Sequence, residues 1–211
     1  MKAVRVHDYG DVGALKIEDL SEPLCLPGKV KVKIYSSSLN HLDIWVRKGL
    51  PGMELPLPLI LGSDGSGTIV EIGSGIKEWK IGDDVVIQPG IFCGKCFYCT
   101  AGSENYCSHY GILGETKDGV QSEYVIIDPI NIYAKANHLT FPEASSMQLV
   151  FMIAYQMLIK RAFLKSSETI LIYGGTSGIG SAAIQIAKDI GARIVTTVGS
   201  DSKFDYALKF G

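Results

Sequence analysis

Four of the five cysteines lie in one short stretch of the chain, where their side chains could bind a metal. They are Cys93, Cys96, Cys99 and Cys107, with two, two and seven residues between them. Thiolates at this spacing can close a tetrahedron around zinc, with bonds of about 2.3 Å. A shell of four sulfurs leaves no position for water or substrate, so such a metal holds a loop and does no chemistry. The stretch predicts one structural zinc per chain, in a lobe at about residues 90–110.

Other interpretations of these cysteines stay open. Four reduced thiols or two disulfides in an ordinary loop have the same spacing, and an iron–sulfur cluster is the lesser metal alternative. Zinc is favoured because disulfides are rare in reducing compartments and the N-terminus lacks a signal-peptide pattern. Cys25 lies far from the others, between two prolines, and we expect an incidental thiol there.

A second chemical signal is a glycine-rich turn between an apolar β-type run and a helical pattern. The turn consists of Gly174, Gly175, Thr176, Ser177, Gly178, Ile179 and Gly180. Glycines let the backbone approach a pyrophosphate, and the first amides of the following helix supply unpaired N–H groups and partial positive charge. The order strand, turn, helix and strand predicts dinucleotide binding, although a plain strand-to-helix turn has the same spacing.

The end of the second β-type run bears on which nicotinamide cofactor is bound. An acidic side chain at this position bonds the ribose hydroxyls of NAD. Residues 197–200 bring no carboxylate, whereas Ser200 and Lys203 could meet the 2′-phosphate of NADP. NADP is therefore preferred and NAD is possible, because Asp201 lies close by and Lys203 is equally well explained as a solvated helix charge.

The composition limits the classes of protein to which the chain can belong. Of its 211 residues, 46% are hydrophobic and 20% are charged, so the chain can bury a core and is not disordered. A formal charge of −2 offers no basic surplus to a phosphate backbone. The apolar run at residues 149–155 is far shorter than the ~20 residues that cross a bilayer. We expect a cytoplasmic protein that acts on a small molecule, with no nucleic-acid or membrane partner.

Short strands must position the cysteine loop. Alternating polarity and runs rich in Val, Ile and Tyr predict strands at residues 3–6, 15–19, 30–35, 67–72, 84–87 and 122–127. One helix is predicted at residues 41–48, with Asn40 as its N-cap and Gly49 as its stop. The first part of the chain therefore predicts a small, partly open β-barrel.

From Thr140 onward the pattern becomes that of an α/β fold. Thr140 and Glu143 form a capping box with a proline in the first turn, which opens a helical stretch to about Lys160. The later elements are a strand at 169–173, a helix at 179–190, a strand at 193–198 and a helix at 202–210. A helical crossover makes the two strands parallel.

Together these features resemble the medium-chain dehydrogenase/reductase superfamily of zinc alcohol dehydrogenases and quinone oxidoreductases. The cysteine spacing is similar to that family's structural-zinc lobe, and the glycine-rich turn with residues 183–188 is similar to its cofactor helix, particularly in the quinone-reductase branch. The resemblance covers the whole chain and implies an α/β plus β fold. A GroES-like catalytic domain with a partly open barrel would occupy residues 1–135, and the first part of a Rossmann NAD(P)-binding domain residues 136–211.

The chain departs from that family at the catalytic-zinc positions. Zinc alcohol dehydrogenases have a Cys-His-Thr/Ser-Asp segment, a Gly-His-Glu segment and a later cysteine. The corresponding residues here are Asn40-His41-Leu42-Asp43, Gly62-Ser63-Asp64 and Leu149. The comparison implies that catalytic zinc is lost, and Asn40 with Asp43 resembles the zinc-independent quinone reductases. A substitute metal site made of His41, Asp43 and Asp64 is an alternative, as is a zinc-dependent alcohol dehydrogenase built on it.

The resemblance implies an NAD(P)-dependent oxidoreductase that reduces quinones or enones by direct hydride transfer. The candidate catalytic residues are Asn40, His41, Asp43 and Ser63. Asn40 would face the nicotinamide, and Asn40, Ser63 or a water would donate a hydrogen bond to the developing oxyanion. Asp43 would orient its surroundings, and His41 would contact a cofactor phosphate or relay a proton. The structural alternatives are a helix cap for Asn40, a first-turn charge for Asp43 and a solvated side chain for His41.

The length of the chain bears on its completeness. A dinucleotide fold has two βαβαβ halves, whereas residues after about 165 supply two strands and part of a second helix. We therefore expect part of a longer dehydrogenase-like polypeptide, homo-oligomeric at full length. A non-catalytic binding module, or a fragment that keeps the fold without turnover, is the alternative from another class of function. It is favoured if neither NADPH nor NADH changes the thermal stability of the chain.

Overall fold

Two antiparallel nine-residue strands lie at the centre of the first unit, Met1–Gln148, in the computed structural model, which describes residues 1–211. The strands of this unit are β1 (Lys2–Val6), β2 (Leu15–Asp19), β3 (Val30–Ser38), β4 (Leu59–Ile60), β5 (Asp64–Ile72), β6 (Asp84–Ile87), β7 (Gly90–Ile91), β8 (Gly111–Ile112), β9 (Tyr124–Ile127) and β10 (Ile132–Ala134). Its helices are α1 (His41–Lys48), α2 (Phe97–Thr100) and α3 (Phe141–Ser145). Strands lie at all six predicted positions, with β9 beginning two residues later than expected.

Antiparallel pairing joins these strands into three sheets. The largest has the order β10-β6-β5-β3-β9, a second has the order β2-β1-β4, and β7 pairs with β8. The five-stranded sheet ends in β10 and β9, so no closed barrel forms, and the fold is the partly open arrangement that was predicted. Its register has irregularities between Lys31 and Val32 and between Ile34 and Ser36.

Aliphatic side chains from the five-stranded sheet and its loops form the main core of this unit. The buried members are Val30, Val32, Ile69, Val85, Ile87, Leu113, Val120, Val125, Ile127 and Ile132. β-branched residues dominate because they pack well on a pleated surface. The core fixes the sheet from which the loops with the candidate site residues extend.

Replacing Ile69 by alanine is expected to lower the free energy of unfolding by about 2–5 kcal/mol, because truncating a buried side chain leaves a cavity. Ile69 on β5 is 0% exposed, whereas Ile17 on β2 is 76% exposed. Ile17→Ala removes the same atoms from a solvated position and is expected to cost less than about 1 kcal/mol. Urea denaturation measures both variants, and equal losses would contradict this location of the core.

The second unit, Leu149–Gly211, is organised around one parallel strand pair. Its elements are α4 (Gln148–Tyr155, whose first residue belongs to the first unit), a π-helical turn Gln156–Arg161, β11 (Thr169–Ile172), α5 (Gly178–Ile190), β12 (Arg193–Thr196) and α6 (Phe204–Leu208). Strands β11 and β12 pair in parallel, with Ile170 opposite Ile194. Helix α5 buries Ala183, Ile184 and Ala187 in the core of this unit. The predicted strand, helix and strand are confirmed within two residues at each end.

The helical stretch predicted from Thr140 to about Lys160 is present but interrupted. Helix α3 ends at Ser145 and α4 begins at Gln148. The Ser145 and Ser146 hydroxyls donate to the Pro142 and Glu143 carbonyl oxygens, at 3.0 and 2.8 Å. Serine side chains that bond nearby carbonyls compete with the helical backbone pattern, so the break lies where two serines follow one another.

The last predicted helix is also shorter than expected. A 3₁₀ turn occupies Asp201–Lys203, and α6 covers only Phe204–Leu208 of the expected residues 202–210. No helix of the chain combines the length and the apolar character needed to span a bilayer.

Helix α3 belongs by packing to the first unit. Ser145 Oγ lies 3.0 Å from Ser36 Oγ on β3, and Ser66 Oγ on β5 donates to the Phe141 carbonyl oxygen at 2.7 Å. Packing therefore divides the chain after Gln148, which is later than the domain boundary predicted between residues 135 and 136. The assignment of the two functional domains stays a prediction.

Candidate functional site

The four clustered cysteines converge around one point of the first unit. Their Sγ atoms all lie within 4.8 Å of one another. The Cys96 and Cys99 sulfurs are 3.4 Å apart, and the Cys93 and Cys99 sulfurs are 3.9 Å apart. A tetrahedron with Zn–S bonds of about 2.3 Å has edges of about 3.8 Å. The separations are close to that edge length, so small movements of the loop would place the four sulfurs around one zinc.

Local backbone geometry brings these sulfurs together. Cys96 is the N-cap of α2, and the following turn places Cys99 on the same side. Gly94 and Gly102 have φ values of +70° and +68°, where a side chain would be strained. The chain can therefore reverse direction on both sides of α2. Cys107 is the buried member of the four.

The ionisation of the thiols is set by their neighbours. Backbone N–H groups of Lys95 and Cys96 lower the pKa of Cys93 to about 6. Burial, together with the hydrogen bond to Cys96, raises the pKa of Cys99 to about 12. Four sulfurs this close cannot all ionise without a cation, because like charges repel. Cys93, whose pKa is lowered, already favours the thiolate form. The four sulfurs together suit a divalent metal that prefers sulfur ligands.

The glycine-rich turn joins β11 to α5 in the second unit. Ser177 is the N-cap of α5, and its Oγ accepts the Gly180 N–H at 3.0 Å. A Cβ on Gly180 would overlap the carbonyl oxygen of Gly174, and Gly174 itself has φ +70°. Both positions therefore require glycine.

This turn leaves donors available at the start of the helix. The N–H groups of Gly178 and Ile179 have no backbone partner, as expected for the first residues of a helix. They lie where the helix dipole is positive, which favours an anion. The turn therefore fits the pyrophosphate of a dinucleotide.

Thr197 fixes the turn from the end of the second strand. Its Oγ1 accepts the Gly174 N–H at 3.1 Å, and its carbonyl oxygen accepts the Gly175 N–H at 3.0 Å. The sequence interpretation of residues 197–200 did not assign this role. A hydroxyl residue at the end of a β-type run is the signal that could have indicated it.

Ser200 and Lys203 lie exposed beside the 3₁₀ turn that follows β12. The Ser200 hydroxyl is 3.0 Å from that of Ser202. Asp201 is exposed in the same turn. Because a cation and a carboxylate both occupy this turn, the preference for NADP over NAD stays a prediction.

Three of the four candidate catalytic residues, Asn40, His41 and Asp43, lie at the N-terminus of α1. Asp43 is buried, and its two carboxylate oxygens accept the N–H groups of Asn40 at 2.7 Å and of Gly62 at 3.1 Å. Burial raises the pKa of Asp43, and these two N–H groups oppose the rise. The Asn40 side-chain amide donates to Asp64 Oδ2 at 3.0 Å. Asp43 thus fixes the start of α1 against the Gly62 loop, and Asp64 orients Asn40.

Ser63 and His41 are in contrasting environments. Ser63 is buried, and its hydroxyl donates to the Leu113 carbonyl oxygen at 2.8 Å. That bond uses its one proton, so in this arrangement Ser63 offers a further partner only an acceptor. His41 is exposed and lies edge-on to the Trp45 ring, with 5.1 Å between the ring centroids. Of the two side chains, only His41 can reach solvent.

A cleft of about 490 Å³ in the first unit connects these residues, since Asn40, His41 and Asp43 all line it. The substitute metal site is not assembled there, because the cysteines are the one group of three or more potential ligands whose atoms converge. No local pattern in the sequence indicates the Asp64 contact to Asn40 or the position of Gln121. A Cβ on Gly62 would lie 2.6 Å from Gln121 Cγ.

Sequence comparison finds similarity along the whole chain. The profile of the alcohol dehydrogenase GroES-like domain matches residues 26–137. An NAD-dependent alcohol dehydrogenase from Sulfolobus acidocaldarius is 32% identical over 95% of this chain and 63% of its own length. A crotonyl-CoA carboxylase/reductase from Cereibacter sphaeroides is 30% identical over 99% of this chain and 50% of its own.

Solved structures show the same similarity. The chain superposes with a TM-score of 0.96 and 41% identity on a crystal structure of an NAD-dependent alcohol dehydrogenase, over 100% of this chain and 62% of that one. A cobalt- and zinc-bound thermostable alcohol dehydrogenase from Pyrobaculum aerophilum gives a TM-score of 0.90 at 27% identity, over 99% and 63% of the two chains. The chain thus spans between half and two thirds of the length of these relatives.

Proposed function

Because the chain belongs to the family of proteins with an alcohol dehydrogenase GroES-like domain, we propose that the whole protein is an NAD(P)-dependent oxidoreductase. Its reaction is hydride transfer between a nicotinamide cofactor and a small carbonyl-conjugated substrate, a quinone or an enone. The observation that carries this proposal is the turn before α5, whose free N–H groups and required glycines suit a dinucleotide. The names of the relatives, which include alcohol dehydrogenases and a reductase, support the same class of reaction.

The cysteine lobe is proposed to hold one structural zinc. Cys93, Cys96, Cys99 and Cys107 supply all four positions of a tetrahedron, so a metal there has no open position for substrate. Zinc would fix the loop around α2 and contribute to folding. The proposal that no second, catalytic zinc is present rests on Asn40, Ser63 and Leu149 standing where the family pattern has zinc ligands.

The cofactor supplies the hydride, and the chain's own residues position and stabilise charge. In a quinone or enone the negative charge develops on an oxygen remote from the carbon that receives the hydride, so a hydrogen bond can stabilise it without a Lewis acid. Asn40 is the donor we propose, because Asp64 orients its amide and the cleft is open to it. Asp43 acts as a positioning residue by tying α1 to the Gly62 loop.

Activity assays test this proposal directly. Purified protein is expected to oxidise NADPH in the presence of quinones or enones, with NADH as the slower cofactor. The matched control substrate is a simple saturated alcohol with NADP or NAD, for which turnover is expected to be slow. Failure of both NADPH and NADH to raise thermal stability at millimolar concentration would instead support a non-catalytic module, since a bound ligand stabilises the folded state.

Replacing Ser177 by aspartate is expected to weaken NADPH binding about tenfold or more, because a carboxylate at the helix start repels a pyrophosphate. Aspartate caps helices as well as serine does, so α5 should be retained. Ser177→Asn is the matched control, since asparagine caps without charge and should keep affinity within about threefold. NADPH fluorescence titration measures both variants, and equal affinities would contradict pyrophosphate binding at this turn.

The preference for NADP, a homo-oligomeric full-length protein and a cytoplasmic location remain proposals from the sequence. Replacing Lys203 is the direct test of the first. Lys203→Gln is expected to weaken NADPH binding about tenfold while leaving NADH binding unchanged, because only NADPH carries the 2′-phosphate. Equal losses for the two cofactors would contradict a phosphate contact.

A further inference from the structure

Arg47, at the end of α1, is a buried cation without a partner. Its side chain lines the cleft that also contains Asn40 and His41, and the residue is only 8% exposed. No hydrogen bond or ion pair reaches the guanidinium, and its Nε is buried and unsatisfied. Guanidinium stays charged in proteins, and a buried charge is costly unless it is paired. The cleft thus has a cation in its wall whose Nε has no acceptor in the chain.

Gln121 provides a second unsatisfied donor in the same cleft. Its Nε2 is buried without a hydrogen-bond partner, although its backbone is bonded to both Val4 and Leu61. The backbone bonds hold the residue in place while the amide is left free. Two residues on separate elements therefore line one cleft, and each has a buried donor without an acceptor in the chain.

The remaining wall of the cleft is mainly apolar. Its aliphatic lining consists of Val12, Leu15, Leu39, Ile44 and Leu61. A ligand that satisfies Arg47 must therefore combine an anionic end with a hydrocarbon part, since apolar surface favours apolar contact. The volume of about 490 Å³ is in the range of small-molecule sites.

Asp43 is the one acidic group that lines this cleft, one helical turn before Arg47. It makes no ion pair with Arg47, because its oxygens are held by the Asn40 and Gly62 N–H groups. Its charge therefore does not satisfy the guanidinium. His41 also lines the cleft and is exposed, so it can add a donor at the entrance.

We propose that this cleft binds a carboxylate that carries an apolar chain, with Arg47 pairing the carboxylate and Gln121 donating a further hydrogen bond. Arginine matches a carboxylate with two parallel N–H bonds, which gives orientation as well as affinity. Since Asn40 and His41 line the same cleft, the substrate of the proposed reaction would be a carboxylate-bearing enone or quinone. Only this last step rests on the proposed function, and the binding itself does not.

Octanoate, as the probe, tests the binding without any nicotinamide present. Calorimetric titration of the protein should give saturable binding of octanoate, and 1-octanol, which has the same chain and no charge, should bind about tenfold or more weakly. Arg47→Met is expected to lower octanoate affinity about tenfold to a hundredfold and to leave octanol affinity unchanged. Gln121→Met should lower octanoate affinity about threefold to tenfold, since it removes one hydrogen bond to a charged group.

Lys48→Met is the matched control, because it removes a neighbouring cation that is exposed and does not line the cleft. It should bind octanoate as the parent protein does. Arg47→Met is also expected to be at least as stable as the parent in urea, because it removes an unpaired buried charge. Octanoate binding that is equal in Arg47→Met and the parent, or no stronger than octanol binding, would overturn the proposal.

The outcomes separate this inference from the proposed function. Octanoate binding that depends on Arg47, without any NAD(P)H-dependent turnover, would support the carboxylate site and contradict the oxidoreductase. Turnover of neutral enones, together with octanoate binding that is unchanged in Arg47→Met, would support the oxidoreductase and contradict the carboxylate site.

Discussion

Cys107→Ser is expected to reduce bound zinc from one per chain to less than about a tenth, because serine is not among the usual zinc ligands. Cys107 is the buried ligand of the four, and all four sulfurs lie within 4.8 Å of one another. Structural zinc contributes about 10–16 kcal/mol of apparent binding free energy in small zinc-dependent folds. Its loss should therefore unfold the lobe at about residues 90–110, which hydrogen exchange of those amides would measure.

The matched control is Cys25→Ser. Cys25 donates to the Lys29 carbonyl oxygen at 3.3 Å and lies outside the cluster. It should leave both the zinc content and the protection of the lobe unchanged. Full zinc retention in Cys107→Ser, or equal loss in the two variants, would contradict a four-cysteine site.

Asn40→Ala is expected to lower kcat about 10²- to 10³-fold with a quinone or enone substrate, the effect of removing one donor to a developing oxyanion. The affinity for NADPH should be unchanged, because the proposed pyrophosphate contacts lie at the turn before α5. Stopped-flow measurement of NADPH oxidation gives the rate, and fluorescence titration gives the affinity.

Ser38→Ala is the control for a purely structural effect. Ser38 Oγ donates to Asp64 Oδ2 at 3.3 Å, the oxygen that also accepts from the Asn40 amide. Each variant thus removes one hydrogen bond to Asp64, but only Asn40 lines the cleft. Ser38→Ala should retain activity within about threefold, as expected for loss of one side-chain hydrogen bond. Equal losses in both variants would assign Asn40 a structural role.

The parts of the fold that could be predicted are those specified by local patterns. The period-two alternation of β3 and the helical pattern of α5 with its Gly191 stop predict both elements within a few residues. The cysteine spacing likewise predicts the convergence of the sulfurs, because α2 and the loop that contains them lie in one stretch of sequence.

The parts that could not be predicted depend on contacts between distant segments or on competing side-chain bonds. The contact between Asn40 and Asp64 spans 24 residues, and no local pattern pairs these side chains. The break after α3 depends on where two serine hydroxyls donate. The unsatisfied Nε of Arg47 depends on how distant segments pack around it, which no spacing reveals.

Zinc analysis of the purified protein tests the central claim most directly. That claim is an NAD(P)-dependent oxidoreductase with a structural zinc and no catalytic one. Elemental analysis after mild chelation should give one zinc per chain, held by the four cysteines. Two zincs per chain, the second lost together with activity on simple alcohols, would contradict the account.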